Sequence, residues 1–201
     1  MIHNSLLECV RWHQGRHAEG HELMAAAAEK EPDLAVLRLP VTLAGSTNQD
    51  DLVHAVRDLP KDSAWIVAAP ILADIISHRR DTAAAALLFD ELLPYRQNIA
   101  WTGPACRGPI AHSLAVLART TGDQALAEEH LAEADAINAQ INAPFFQART
   151  WLEWADLLLD RGEADDRSRA EKLLHKALDV ARARGYAQIQ RRAERALASL
   201  G

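Results

Sequence analysis

The sequence predicts an all-α fold: a right-handed solenoid of about ten to eleven helices arranged as tandem antiparallel pairs. Three observations predict it. Alanine is abundant, only 5% of the 201 residues are aromatic and long Val/Ile/Thr alternations are missing, so intrinsic preference runs to helix nearly throughout. Apolar residues recur at the three- and four-residue intervals of one helix face. Short polar turns with Gly or Asp fall at Gln14-Gly15-Arg16, Gly45-Ser46, Arg79-Arg80-Asp81, Thr121-Gly122-Asp123 and Arg161-Gly162-Glu163. They return about every 30 to 42 residues, the interval of a helix-pair repeat.

Composition limits the function classes. With 49% apolar and 25% charged residues the chain folds rather than staying disordered. A net charge of −6 argues against direct nucleic-acid binding and against an anionic membrane surface, both of which need clustered excess Lys and Arg. Cys9 and Cys106 show no CxxC spacing, so two buried, reduced thiols are expected and no disulfide framework or zinc site. The N-terminal stretch lacks a signal-peptide apolar core, and no window reaches the ~18 apolar residues of a membrane span. A cytoplasmic protein is the expectation.

One domain is expected over 1–201. Weak or degenerate repeats occupy 1–60, clearer ones 61–94, 109–142 and 145–185, and a capping helix 186–201. In the first unit Leu7 precedes Gly15, Met24 and Ala27 follow, Gly20 takes the place of a packing alanine, and Pro32 closes the pair. Met1 runs directly into an amphipathic helix with Ile2, Leu6 and Val10, and no polar cap precedes it, so the chain is expected to continue upstream. Residues 33–60 form a degenerate pair, interrupted by Pro40 and ending at Pro60. In the next unit Leu72, Ala73 and Ile76 precede Arg80-Asp81, Ala85 and Phe89 follow, and Pro94 stops the second helix. The unit from Pro109 to about Asn142 is the clearest: Ala111, Leu114, Ala115 and Ala118, then Ala127, Leu131 and Ala134. The last pair carries Trp151, Trp154, Ala155 and Leu158 before Gly162, then Ala170, Leu174 and Ala177. From Tyr186 to Leu200 an apolar face of Ile189, Ala193, Leu197 and Leu200 opposes Gln188, Arg191, Arg192 and Arg195, as a solubilising cap requires.

These offsets resemble the tetratricopeptide pattern, W-x2-L-G-x2-Y in one helix and A-x3-F in the next, with alanine here in place of the glycine. A longer resemblance, from about Asp62 to Ala198, is carried by Phe89-Asp90-Glu91-Leu92-Leu93-Pro94-Tyr95, by Gly108-Pro109-Ile110-Ala111, by the unit Leu117 to Ala134, and by Ala148-Arg149-Thr150-Trp151 followed by Ala155. In these residues the chain resembles the C-terminal tetratricopeptide-like region of large bacterial signalling proteins. Two groups have such regions: LuxR/MalT-type transcriptional regulators with a signal-transduction ATPase domain, and class III adenylate or guanylate cyclases fused to a similar ATPase. The resemblance implies a region that senses an inducer or partner and restrains the ATPase. No G-x4-GK[ST] phosphate loop, cyclase-like segment or helix-turn-helix is found, so no ATPase, cyclase or DNA-reading role transfers to any residue.

Several local features invite chemistry. His13, His17 and His21 recur every four residues, but the Gly15-Arg16 turn leaves only His17 and His21 on one face, and spacing fixes no third ligand, so a solvated helix surface is expected. Cys106 beside Arg107 lacks a defined base for nucleophilic work. The C-terminal arginines interleave with Glu171, Asp179 and Glu194 and read as an exposed helix face. The connection 94–109 is the least helix-like stretch, and it offers Tyr95, Arg96, Trp101 and Arg107 as loop contact residues. Tandem helix pairs curve so that their first helices line a groove; the repeat offsets place Trp12, Asp74, His78, His112, Arg119, Arg149 and Asp156 towards it. The expected function is a non-catalytic interaction and sensor module without cofactor or metal, binding a protein or peptide and, as a further ligand, a small-molecule inducer. A self-associating scaffold, as a homodimer, is the second expectation. A helical hydrolase-like or metal-binding enzyme is the third.

Overall fold

The computed structural model describes residues 7, 10, 11, 14, 16–30, 50–62, 64–103 and 105–200. Trp12, Cys9, His13, Pro32 and the turn at Gly45-Ser46 lie outside them. The described residues form nine α-helices and one two-stranded hairpin. The helices are α1 (His17–Ala28), α2 (Asp50–Asp58), α3 (Trp65–Arg79), α4 (Thr82–Leu92), α5 (Ile110–Thr121), α6 (Gln124–Gln140), α7 (Pro144–Arg161), α8 (Asp166–Arg184) and α9 (Ala187–Leu200). The hairpin pairs β1 (Ile99–Thr102) with β2 (Ala105–Pro109) in antiparallel register.

Among the described residues, the polar turns at Arg79-Arg80-Asp81, Thr121-Gly122-Asp123 and Arg161-Gly162-Glu163 are where helices stop, and the local chemistry says why. Gly122 closes α5 in the left-handed region at φ 89°, and the carboxylate of the next residue, Asp123, accepts from the Leu126 amide at 3.0 Å to open α6. Arg80 and Asp81 do the same between α3 and α4, with Asp81 accepting from the Ala84 amide at 2.9 Å. A left-handed closing residue followed by an acidic N-cap turns the chain back within two positions. Arg80 does this without glycine, at φ 56°, a conformation that costs a side-chain-bearing residue about 1 kcal/mol or more.

From α3 onward each helix packs on the next in sequence, and α3 also packs on α5. The buried apolar residues divide into three clusters that follow chain order. The first joins α2, α3 and α4 to Ala100 of β1 and to Ile110, Leu114 and Leu117 of α5. The second joins Ala115 and Ala118 of α5 to Ala127 and Leu131 of α6 and Leu157 of α7. The third is built from α7, α8 and α9. Phe89 packs against both the first and second clusters and Trp154 against both the second and third, so two large rings stitch the clusters together.

The stretch expected as an irregular connection holds the hairpin. Ile99, Trp101 and Thr102 favour extended backbone, and Gly103, at φ 42°, turns the chain at the tip. The register shifts between Ala100, opposite Gly108, and Trp101, opposite Cys106, which makes Arg107 the extra residue of a β-bulge. Gly108, at φ 88°, lies so close to α7 that a Cβ there would stand 2.7 Å from Phe146 Cδ1. Hairpin and helix approach at that distance only because glycine has no side chain.

Gly108→Ala should therefore lower stability by about 2–4 kcal/mol, from the left-handed backbone and the clash together. Gly122→Ala has the same backbone penalty but nothing within 4 Å of the added carbon, so it should cost about 1–2 kcal/mol. Urea unfolding of the two variants measures the difference.

Candidate functional site

Asp74, His112, Arg119, Arg149 and Asp156 all make polar contacts with or from α7. Arg149, in the second turn of α7, reaches across to α3, where both carboxylate oxygens of Asp74 accept from its Nη2 at 3.1 Å. Its Nη1 donates to the Arg107 carbonyl at 3.4 Å, which ties the hairpin bulge to the same cation. The Arg149 side chain is only 19% exposed, and burial lowers the pKa of its guanidinium while Asp74 pulls it back up. One turn further along α7, Glu153 accepts from Arg119 of α5 at 2.5 Å and from Arg192 of α9 at 3.4 Å. Arg119 also donates to Asp160 at 2.5 Å, and Arg192 also donates to Asp156. Arg119, Glu153 and Arg192 thus link α5, α7 and α9 in one ionic network, and the Arg149–Asp74 pair, under the electrostatic pull of Glu153, sets α3 beside it.

Beneath it lies a buried polar chain. Thr150 and Asn138 are fully buried, and the Thr150 hydroxyl accepts from Asn138 Nδ2 at 3.2 Å and stands 3.2 Å from His112 Nδ1. His112 is 3% exposed. Burial, with Arg149 and Arg192 adding positive charge nearby, pushes its pKa well below the usual histidine value. The imidazole is neutral at pH 7 and serves as a hydrogen-bonding group rather than a charge.

A second ionic cluster ties α6, α7 and α8 together away from this chain of contacts. Arg161 donates two bonds of 2.7 Å to Asp166 and one of 2.7 Å to Glu128, and Trp154 Nε1 donates to Glu128 at 3.2 Å. The hydrogen bonds from Arg161 hold the Asp166 carboxyl down at about 2.

Of the residues singled out from sequence, Asp74, Arg119, Arg149 and Asp156 make these ionic contacts, Arg107 joins through its carbonyl, and His112 belongs to the buried polar chain. Two of them are not the accessible contact residues expected: Arg107 is 3% exposed because the bulge turns it inward, and His112 sits on α5, a helix buried along most of its length. The other described ones lie elsewhere. Tyr95 packs its ring 5.2 Å from that of Trp65, Arg96 pairs with Glu133 at 3.4 Å, and His78 is exposed. Trp101 is 62% exposed, with its indole N–H held by the Gly103 carbonyl at 3.0 Å. Cys106 is half-buried rather than buried as expected. Glu153, Arg192, Thr150 and Asn138 were missed. Arg149, Glu153, Asp156 and Asp160 follow one another at four, three and four residues, a polar stripe along one helix face, and that signal was readable.

Among the described residues no three His, Cys, Asp or Glu side chains converge as a metal-ligand set, and no helix is long and apolar enough to cross a membrane. Comparison of the chain with protein-family models, with curated proteins and with solved structures gave no match.

Unfolded, His112 takes up a proton near its ordinary value of 6.5; folded, it does not. The unfolded state therefore binds more protons below that value, so His112 costs nothing above pH ~7 and destabilises progressively as pH falls through about 6.5. The melting temperature should drop between pH 7.5 and 5.5, and His112→Gln should flatten that slope relative to the wild type. Equal slopes in calorimetry would contradict the buried, neutral assignment.

Proposed function

We propose that the chain is a non-catalytic helical-repeat module, a right-handed solenoid of tandem helix pairs that binds a protein or peptide partner on the face formed by α3, α5, α7 and α9. What supports the solenoid reading is the order of the core. From α3 onward each helix packs on its sequence neighbour, and the buried residues form three successive clusters, as stacked repeats do. A single observation carries the binding reading: the first helices of successive pairs present adjoining ionic contacts, the Asp74–Arg149 pair and the group of Arg119, Glu153, Asp156 and Arg192, each held by long-range pairs. Charges with fixed geometry on a half-buried face recognise a partner's backbone and charged groups with little ordering cost.

The resemblance to the C-terminal regions of LuxR/MalT-type regulators and class III cyclases extends this proposal to a regulatory setting. There the module senses a partner or inducer and passes its state to another domain. The catalysis it would regulate is assigned to no residue of this chain.

Two measurements test the proposal. Small-angle scattering should give a radius of gyration above the roughly 16–17 Å of a compact globule of this length. Panning a displayed random-peptide library should enrich a common motif, and Arg149→Met, with its helical circular dichroism retained, should weaken the selected peptides about tenfold or more. Selected peptides indifferent to both Arg149→Met and Glu153→Gln would remove this face from the function.

A further inference from the structure

A cleft of about 780 Å³ opens where the start of α7, the turn between α8 and α9 and the residues Val10, Gln14 and Arg16 come together. That volume is within the range of sites for small organic molecules. Its wall is aromatic. Phe145 and Phe146 meet edge to face at 5.4 Å and 84°, and Phe145 and Tyr186 at 5.2 Å and 85°.

The backbone fixes these rings. Pro144 opens α7, so both phenylalanines stand in its first turn, and Phe146 is seated against Gly108 of the hairpin. Gly185 closes α8 in the left-handed region at φ 74°, and that turn delivers Tyr186 to the start of α9. None of the aromatic wall belongs to the ionic contacts on α3, α5, α7 and α9.

The polar part of the cleft is cationic. Arg16 and Arg191 line it, and none of the described residues that line it is acidic, in a chain whose net charge is −6. Arg16 is already held by Glu19 at 2.5 Å. Arg191 is exposed, and among the described residues no carboxylate lies within ion-pair distance of it. The α9 N-terminus lines the cleft through Ala187 and Gln188, with no acidic residue in its first turn, so the positive end of the helix dipole adds to the Arg191 charge. An apolar ring stack beside an available guanidinium and a helix N-terminus selects a planar body with one anionic group.

We propose that this cleft binds a small aromatic carboxylate, its ring against Phe145 and Tyr186 and its carboxylate on Arg191. The site does not depend on the partner-binding face, and either can fail alone.

The test is titration calorimetry of the full chain with naphthalene-2-carboxylate, with naphthalene-2-methanol as its neutral counterpart. The acid should bind, and the alcohol should bind about tenfold more weakly or worse, the loss of one charge-assisted contact. Arg191→Gln should keep the wild-type melting temperature, weaken the acid about tenfold and erase its advantage over the alcohol. Amide shifts on binding should centre on Tyr186 and Gln188. No binding of the acid at millimolar concentration, equal binding of acid and alcohol, an unaffected Arg191→Gln variant, or shifts centred elsewhere would each overturn the proposal.

Discussion

Ala111, Ala115 and Ala118 on α5, Ala127 and Ala134 on α6, Ala148 and Ala155 on α7, and Ala170, Ala177 and Ala181 on α8 all have essentially no exposed surface. A single methyl group lets two helix backbones come close, and it fixes their separation because there is nothing flexible to rearrange. Leucines at Leu114, Leu131, Leu152, Leu158 and Leu174 then fill the space beside each contact. Everything else depends on this spacing. Had larger residues pushed α5 and α7 apart, Arg119 would not meet Glu153 at 2.5 Å, nor would His112 approach Thr150.

The ionic network makes sense on that frame. Its charges sit on a half-buried face where each cation is matched by one or two carboxylates, so the desolvation cost of bringing them together is offset within the face. Arg149 shows the balance: burial lowers its pKa and Asp74 raises it. His112, deeper and surrounded by arginines, cannot be compensated and loses its charge instead. The same helix thus carries an acid-sensitive position, His112, and a permanently charged one, Arg119, seven residues apart.

The hairpin is the departure from a purely helical stack, and it is joined to both candidate sites. Its bulge turns Arg107 inward so that its carbonyl meets Arg149, and the next residue, Gly108, seats Phe146 at the wall of the aromatic cleft. Two adjacent residues of one strand therefore touch the polar face and the cleft. Trp101, exposed near the tip of the same hairpin, is the large apolar side chain most open to solvent among those of the described residues.

How much of this was legible follows from what each feature depends on. Helix ends such as Gly122-Asp123 were readable because a left-handed closing residue and an acidic cap act within two or three positions of chain. The buried faces of α5 to α8 were readable because a helix of fixed period assigns Ala and Leu to one side. Placing Asp74, Arg119, Arg149 and Asp156 on a common face was also within reach, since it follows from the same period applied to successive pairs. The sequence alone determined, then, the helical class and the polar and apolar sides of the helices. Only the tertiary structure decided that residues 99–109 pair as strands, that a one-residue register slip buries Arg107, that Thr150 and Asn138 meet His112, and that Arg192 closes on Glu153. Each of these depends on contacts between positions a dozen to forty residues apart or on strand register, and neither local propensity nor periodicity contains that information.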